Sequence, residues 1–215
     1  MVQKESRLPR EPKRRGRPRA YDPDAALARA IGSFWKAGYS GTSLDDLSAA
    51  TGMNRPSLYG AFGDKRDLYL KALAHYWELS RVAMNEALAH DLPLRQALQR
   101  LYDKALSIYF SGKEGPRGCF AIGTATTEAV HDAKIRSSLA EGFRMIDEAF
   151  EARIRFAQDQ GELKQSADPA ALAMLASATL HTLAIRSRAG TSHKVLQGIV
   201  DATLDVICGP ATQSG

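Results

Sequence analysis

The sequence has few cysteines and no long hydrophobic run. Two cysteines, Cys119 and Cys208, among 215 residues exclude a disulfide scaffold and are typical of a reducing environment. The longest near-apolar stretch, residues 169–180, is much shorter than the roughly 20 residues that a bilayer requires. The first residues are highly charged and lack the apolar segment of a secretory signal. We therefore expect a cytoplasmic protein with no membrane partner.

The sequence also lacks the common catalytic motifs. It contains no Walker A loop, G-x-S-x-G, G-x-G-x-x-G or H-E-x-x-H pattern, and each of these supports a different class of enzyme. Glu128, His131 and Asp132 have the spacing of a metal site on a helix, but no further residue completes a ligand set. We therefore expect no enzyme, no metal and no cofactor.

Charge is distributed unevenly along the chain. Apolar residues make up 44% of the sequence and charged residues 25%, which is enough for a packed core. Residues 1–20 contain eight Lys or Arg against Glu5 and Glu11, a balance of 8 − 2 = +6, so the remaining residues sum to −1 of the net +5. A basic arm on a near-neutral body indicates a polyanionic partner such as nucleic acid.

Proline, glycine and capping residues divide the chain into helical segments. The predicted fold class is all-α, because apolar residues recur at helical spacing and no alternating run predicts a strand. Asp22-Pro23 and Asp168-Pro169 are typical helix starts. About nine helices are expected, over residues 23–38, 43–51, 55–62, 65–88, 93–110, 119–130, 133–160, 169–189 and 192–208.

The second and third helices have the layout of a helix-turn-helix. They are short and are joined by Thr51-Gly52-Met53, and in this motif the second of the two helices enters the major groove. Arg can bind guanine and Asn can bind adenine, while hydroxyl groups reach phosphates or base edges. The predicted DNA contacts here are Thr42, Ser43, Asn54, Arg55, Pro56, Ser57, Tyr59, Gly60 and Lys65.

Most of these contacts have a structural alternative. Thr42 and Ser43 are explained by an N-cap alone, although a capped helix N-terminus also presents N–H groups to phosphate. Tyr59 has the alternative of packing inward, and Arg55 and Lys65 that of facing solvent.

The basic arm contains Arg14-Arg15-Gly16-Arg17-Pro18-Arg19. Its Arg-Gly-Arg-Pro segment resembles the core of an AT-hook, in which a thin, extended backbone allows arginines to enter a narrow minor groove. Arg15 and Arg17 are therefore predicted DNA contacts. A solvated charge run is the alternative structure, and an architectural binder of A·T-rich DNA is the alternative function.

Residues 39–65, YSGTSLDDLSAATGMNRPSLYGAFGDK, resemble the signature of TetR-family transcriptional regulators. The resemblance extends over about residues 19–79. It includes Gly38-Tyr39, Thr42-Ser43, the turn glycine Gly52, Leu58-Tyr59 with Phe62, and Lys65. It implies an all-helical homodimer that binds a palindromic double-stranded operator, acts as a repressor and is released by an unidentified small-molecule effector.

The charge distribution and the resemblance together indicate a division of the chain. Residues 1–19 would form a basic disordered arm, residues 20–80 the DNA-binding domain, and residues 81–211 a domain for ligand binding and dimerisation. The last two helices would pair across the dimer, and both have broad apolar faces. These faces are Leu172, Leu175, Ala176, Leu180, Leu183 and Ala184 on one helix, and Val195, Leu196, Ile199, Val200, Leu204 and Ile207 on the other.

Candidates for the effector pocket are large or polar residues of the middle helices. They are Trp77, Phe110, Phe120, His131, Phe143, Phe150 and His181. A role in the core is the alternative for the aromatic residues and His181, and a surface position is the alternative for His131. Cys119 follows Arg117-Gly118 near a predicted helix start, a setting that can lower a thiol pKa and create a redox sensor. A buried, inert cysteine is the alternative for Cys119.

Overall fold

The computed structural model describes residues 22–112 and 114–210, and within these residues the chain is helical, with no strand. This confirms the all-α class. The helices are α1 (Pro23–Gly41), α2 (Leu44–Thr51), α3 (Arg55–Phe62), α4 (Lys65–Ala87), α5 (Leu94–Tyr109), α6 (Phe120–Ala125), α7 (Ala133–Asp159), α8 (Pro169–Arg188) and α9 (His193–Cys208). The predicted helix over residues 119–130 is split into α6 and a 3₁₀ turn, Glu128–Val130.

The helix boundaries follow from local chemistry. The side chains of Asp22, Asn54 and Asp168 each cap the helix that follows by accepting backbone N–H groups, as the sequence predicts. Gly38 interrupts α1 at φ 76°, and Gly52 ends α2 at φ 69°. Both angles lie in the left-handed region that glycine adopts without steric cost. The chain can therefore turn sharply on both sides of α2.

α4 joins the N-terminal and C-terminal halves of the molecule. It packs against α1 and α3 on one side and against α5, α6 and α7 on the other. Tyr69 of α4 is fully buried between Phe34 of α1 and Phe120 of α6, with ring centroids 5.1 and 6.0 Å away. The three N-terminal helices are therefore tied to the larger helical body by a continuous core.

α8 is a long and mainly apolar helix. By length and composition alone it could span a membrane, with mean hydropathy 1.2 over an 18-residue window. It packs against α5, α7 and α9, and nine of its residues are buried, including Ala176, Leu180 and Leu183. This is the setting of a core helix.

α8 and α9 also carry an exposed apolar stripe. Most of the residues on the two predicted apolar faces are buried within the protomer, including Leu180, Leu183, Val200 and Leu204. They pack against α5, α7 and each other's helix. The large apolar side chains left exposed on these two helices are Met174, Leu175, Ile185, Val195 and Val206. We call these five residues the α8–α9 stripe.

Candidate DNA interface and ligand cavity

A small core fixes α3 at the surface. Leu47 of α2, Met53 of the turn, and Leu58 and Phe62 of α3 are all buried. Their burial removes apolar surface from water, which is the main stabilising term for so small a unit. The opposite side of α3 faces solvent and carries Asn54, Arg55, Pro56, Tyr59 and Gly60.

Tyr59 and Gly60 lie where the sequence predicts them. Tyr59 is 46% exposed, whereas its neighbour Leu58 is 2% exposed, so Tyr59 does not pack inward. No atom lies within 4 Å of the position that a Cβ on Gly60 would take, which leaves room for another backbone to approach. Ser57 is half-buried, and its N–H donates to Asn54 Oδ1 at 2.9 Å.

Arg55 is held by a carboxylate of α2. Its Nη2 lies 2.8 Å from both carboxylate oxygens of Asp45, and its Nε lies 3.1 Å from Asp45 Oδ1. This bond raises the pKa of the guanidinium, so Arg55 stays charged. Both side chains are more than half exposed, and exposed ion pairs are weak. The pair orients Arg55 without preventing a base or phosphate from competing for it.

Three predicted DNA contacts lie where helices begin: Thr42 and Ser43 directly before α2, and Lys65 at the first position of α4. Thr42 is 1% exposed, and its hydroxyl donates to Gly38 O at 2.6 Å. The predicted DNA contact of Thr42 is therefore not supported, because its hydroxyl is buried and bonded and its backbone N–H donates to Tyr39 O at 3.3 Å. Ser43 is exposed and forms a capping box with Asp46, while Lys65 Nζ lies 4.5 Å from the ring centroid of Tyr39.

Arg15 and Arg17 lie outside the described residues. The charge of the described part bears on their predicted role, because residues 22–64 contain three Lys or Arg and five Asp or Glu. The surface around α3 therefore supplies little of the positive charge that attracts a polyanion.

Three polar contacts join α1 and α4 to residues 124–132, the segment that runs from α6 to the start of α7. Arg66 at the start of α4 pairs with Asp132, with Nη2 2.9 Å from Oδ1, and this bond holds the pKa of Asp132 well below its usual range. Ser40 donates to Glu128 at 2.8 Å, and Tyr69 bonds Thr124 at 2.7 Å.

These contacts engage two of the three side chains that have the spacing of a metal site on a helix. Glu128 and Asp132 are engaged by Ser40 and Arg66, and His131 is exposed. The described residues contain no cluster of three or more metal-ligating side chains.

A mainly apolar cavity of about 80 Å³ lies between α4, α5, α7 and α8. Three of the predicted pocket residues line it: Trp77, Phe143 and His181. Sequence reasoning missed the rest of the α4 wall, which includes Tyr76, Ser80 and Met84. Their spacing on one helix face, with small residues between large ones, is the signal that was available.

The other four pocket candidates lie elsewhere, and their assignment is corrected. Phe120 is fully buried beside Trp35 and Tyr76, and Phe150 is fully buried near Tyr102. Phe110 packs against His193, with ring centroids 5.3 Å apart, and His131 is exposed. A large apolar residue on a helix fills a core more often than it lines a cavity.

Cys119 lies on the cavity wall but lacks the environment of a reactive thiol. Its Sγ is 3.0 Å from Tyr76 Oη, and burial raises its pKa. The neighbouring Arg117, whose charge was the reason to expect a lowered thiol pKa, instead has its guanidinium over the Trp35 ring, 3.8 Å from its centroid. A redox-sensing cysteine requires the opposite shift, toward the thiolate, so this setting favours the buried, inert alternative.

The chain matches two family descriptions that together cover most of its length. Residues 26–72 match "Bacterial regulatory proteins, tetR family", and residues 93–203 match "Tetracyclin repressor-like, C-terminal domain". The chain is 33% identical over 194 residues to the HTH-type transcriptional repressor ComR of Escherichia coli (strain K12), covering 89% of this chain and 91% of that protein. It is 31% identical to the regulator YezE of Bacillus subtilis (strain 168), covering 89% and 99%.

Solved structures share the fold. The TetR family regulator CifR, in a cysteine mutant complexed with 26-bp operator DNA, superposes with a TM-score of 0.79 at 31% identity, covering 87% of this chain and 98% of CifR. Reduced E. coli NemR superposes with a TM-score of 0.78 at 18% identity, covering 88% of this chain and 98% of NemR. At this identity the likeness shows the fold alone. The protein therefore belongs to the TetR family of transcriptional regulators.

Proposed function

We propose that this regulator is a repressor that binds a palindromic operator as a homodimer, inside the cytoplasm. The observation that carries the proposal is the exposed face of α3, where Asn54, Arg55 and Tyr59 project from a helix fixed by its own core. ComR is named a repressor and CifR is described bound to operator DNA, which supports the same role here. The predicted contacts are then Ser43, Asn54, Arg55, Pro56, Ser57, Tyr59, Gly60 and Lys65, with Arg15 and Arg17 in the adjacent minor groove.

The α8–α9 stripe supports the homodimer. Large apolar side chains exposed together on two adjacent helices mark an interaction surface. Pairing these helices with those of a second copy would form a four-helix bundle and bury both stripes. Sedimentation of the full-length protein tests this step, and a monomer at micromolar concentration would refute it.

The cavity supports release by a small-molecule effector. Its walls include α4, whose first residue follows directly after the α3–α4 turn. An effector can weaken DNA binding only if it binds the low-affinity arrangement more tightly than the DNA-bound one. Widening the cavity would displace α4 and thereby change the separation of the two α3 helices.

Footprinting on DNA fragments selected by the purified protein tests the operator. The regulator function predicts a discrete palindrome, with half-site centres about 34–36 Å apart along the duplex. Diffuse protection of A·T-rich DNA would instead support the architectural alternative.

A further inference from the structure

Asp45 and Arg55 form an ion pair between the two helices of the helix-turn-helix. Asp45 lies in the first turn of α2, and Arg55 is the first residue of α3. Asp45 Oδ1 accepts from Arg55 Nε at 3.1 Å and from Nη2 at 2.8 Å, and Oδ2 accepts from Nη2 at 2.8 Å. The carboxylate therefore lies on the Nε–Nη2 side of the guanidinium and sets the plane of that group.

The capping of α2 does not account for Asp45. The adjacent Asp46 accepts from Ser43 N at 2.8 Å and from Ser43 Oγ at 2.6 Å, and so forms the capping box of α2. Among the described residues, the side chain of Asp45 bonds only Arg55. Both side chains of the pair are more than half exposed, and such pairs add little to stability. The pair therefore affects the direction of Arg55 more than it affects the fold.

The Arg55 guanidinium keeps donors that Asp45 does not engage. Arginine carries its N–H groups in a planar fork and has no acceptor, and Asp45 leaves Nη1 free of contact. The side chain is 55% exposed at the N-terminal end of α3, the part of a recognition helix that contacts base edges. Guanine presents two acceptors, O6 and N7, in the major groove, whereas each other base presents one at most. A fixed group that only donates therefore fits guanine.

Holding Arg55 in the free protein reduces what DNA binding must order. Fixing a long side chain at an interface weakens affinity about two- to tenfold. An arginine that is already held loses less freedom when it binds, and it adapts less readily to a wrong base. Both effects increase the difference in affinity between the right base and the others.

We infer that Asp45 is a positioning residue that determines specificity, because it holds Arg55 in the orientation that selects a guanine in each operator half-site. Asp45 acts through Arg55 and needs no DNA contact of its own. This inference rests on the proposed operator-binding function. The opposite role, in which Asp45 shields Arg55 from DNA, predicts that removing the carboxylate keeps or increases the preference for guanine.

Fluorescence anisotropy of the full-length protein on substituted duplexes tests the inference. Each base pair of one half-site in the selected operator is changed in turn, and comparison of the wild type with Arg55→Ala identifies the pair that Arg55 reads. We expect that pair to contain guanine, preferred by the wild type about 5- to 150-fold. Asp45→Ala should lower this preference about two- to tenfold, keep the preferences at other positions, and leave binding to unrelated DNA no weaker.

Two further variants separate positioning from a general effect of charge. Asp24 is exposed in the first turn of α1, where a carboxylate is equally favoured by the helix dipole, and it has no arginine partner among the described residues. Asp24→Ala should therefore keep the guanine preference. In the Arg55→Ala background, Asp45→Ala should change no preference, because the pair acts as a unit. Asp45→Ala retains the Ser43–Asp46 capping box, and its urea midpoint should stay close to that of the wild type.

Three results would overturn the inference and leave the operator function intact. They are an unchanged or larger guanine preference in Asp45→Ala, an equal loss of preference at every position of the half-site, and a base pair without guanine at the position that Arg55 reads. A wild-type protein that prefers no sequence would instead refute the operator function, and the inference with it.

Discussion

At the residue scale, Arg55 is the side chain expected to contribute most to base recognition. Asp45 orients it on the exposed face of α3, and a bidentate arginine–guanine pair discriminates by about 1–3 kcal/mol. Arg55→Ala is therefore expected to weaken binding to the selected operator by that amount and to change affinity for unrelated DNA much less. Fluorescence anisotropy with both duplexes measures the difference.

Arg81 offers a matched control for Arg55. It is an exposed arginine bound to a carboxylate, Glu78, at 2.6 Å, but it lies on α4. Arg81→Ala should leave operator affinity unchanged. Equal losses in the two variants would show that general charge, and not the position of Arg55, determines binding.

The second prediction at this scale concerns thiol reactivity. Burial raises the pKa of Cys119 and raises that of Cys208 to about 11, so little thiolate exists at neutral pH. Alkylation by iodoacetamide at pH 7 should be much slower in the folded protein than in urea, and its rate should rise with pH. Mass spectrometry of the two cysteine peptides measures the labelling of each thiol separately. Rapid labelling of native Cys119 would contradict the inert alternative and support a redox sensor.

At the scale of elements, Gly142 allows α7 to approach α4. A Cβ at Gly142 collides with the Trp77 ring, whereas a Cβ at Gly32 of α1 meets no atom within 4 Å. Gly142→Ala should lower the free energy of unfolding by about 1–3 kcal/mol, the usual cost of overpacking. Gly32→Ala should raise it by up to about 1 kcal/mol through helix propensity. Denaturant titration compares the two variants, and similar effects would contradict the packing shown here.

The helices were predictable from sequence because their ends depend on neighbouring residues. Asn54 caps α3 and Gly52 ends α2 through contacts within a few positions, and such signals are local. Which face of a helix is buried depends on the helices packed against it. For this reason Phe120 and Phe150 were assigned to a pocket that they do not line, and Thr42 to a DNA contact although it is buried.

At the scale of the whole molecule, the α8–α9 stripe predicts where two copies meet. Val206 of this stripe is 67% exposed, and burying an unpaired carboxylate at an interface is strongly unfavourable. Val206→Asp is therefore expected to shift sedimentation toward the monomer. Val130 is 70% exposed but lies in the 3₁₀ turn, so Val130→Asp should remain dimeric. Equal behaviour of the two variants would place the interface elsewhere.

The basic arm is expected to supply much of the affinity for DNA. Residues 1–20 carry a balance of +6, whereas residues 22–64 are slightly acidic. Deleting residues 1–19 should weaken operator binding and flatten its dependence on salt, with a loss of slope of about 0.9 for each phosphate contact removed. Unchanged affinity over a salt series would refute a DNA-binding role for Arg15 and Arg17.

The central claim is that two copies of α3 recognise one palindrome. Hydroxyl-radical footprinting of the full-length protein on its selected operator tests this most directly. We predict two protected patches related by two-fold symmetry, one helical turn or a multiple of it apart, and weaker protection of both patches with Arg55→Ala at the same subsaturating protein concentration. A single asymmetric patch, or an unchanged footprint with Arg55→Ala, would contradict it.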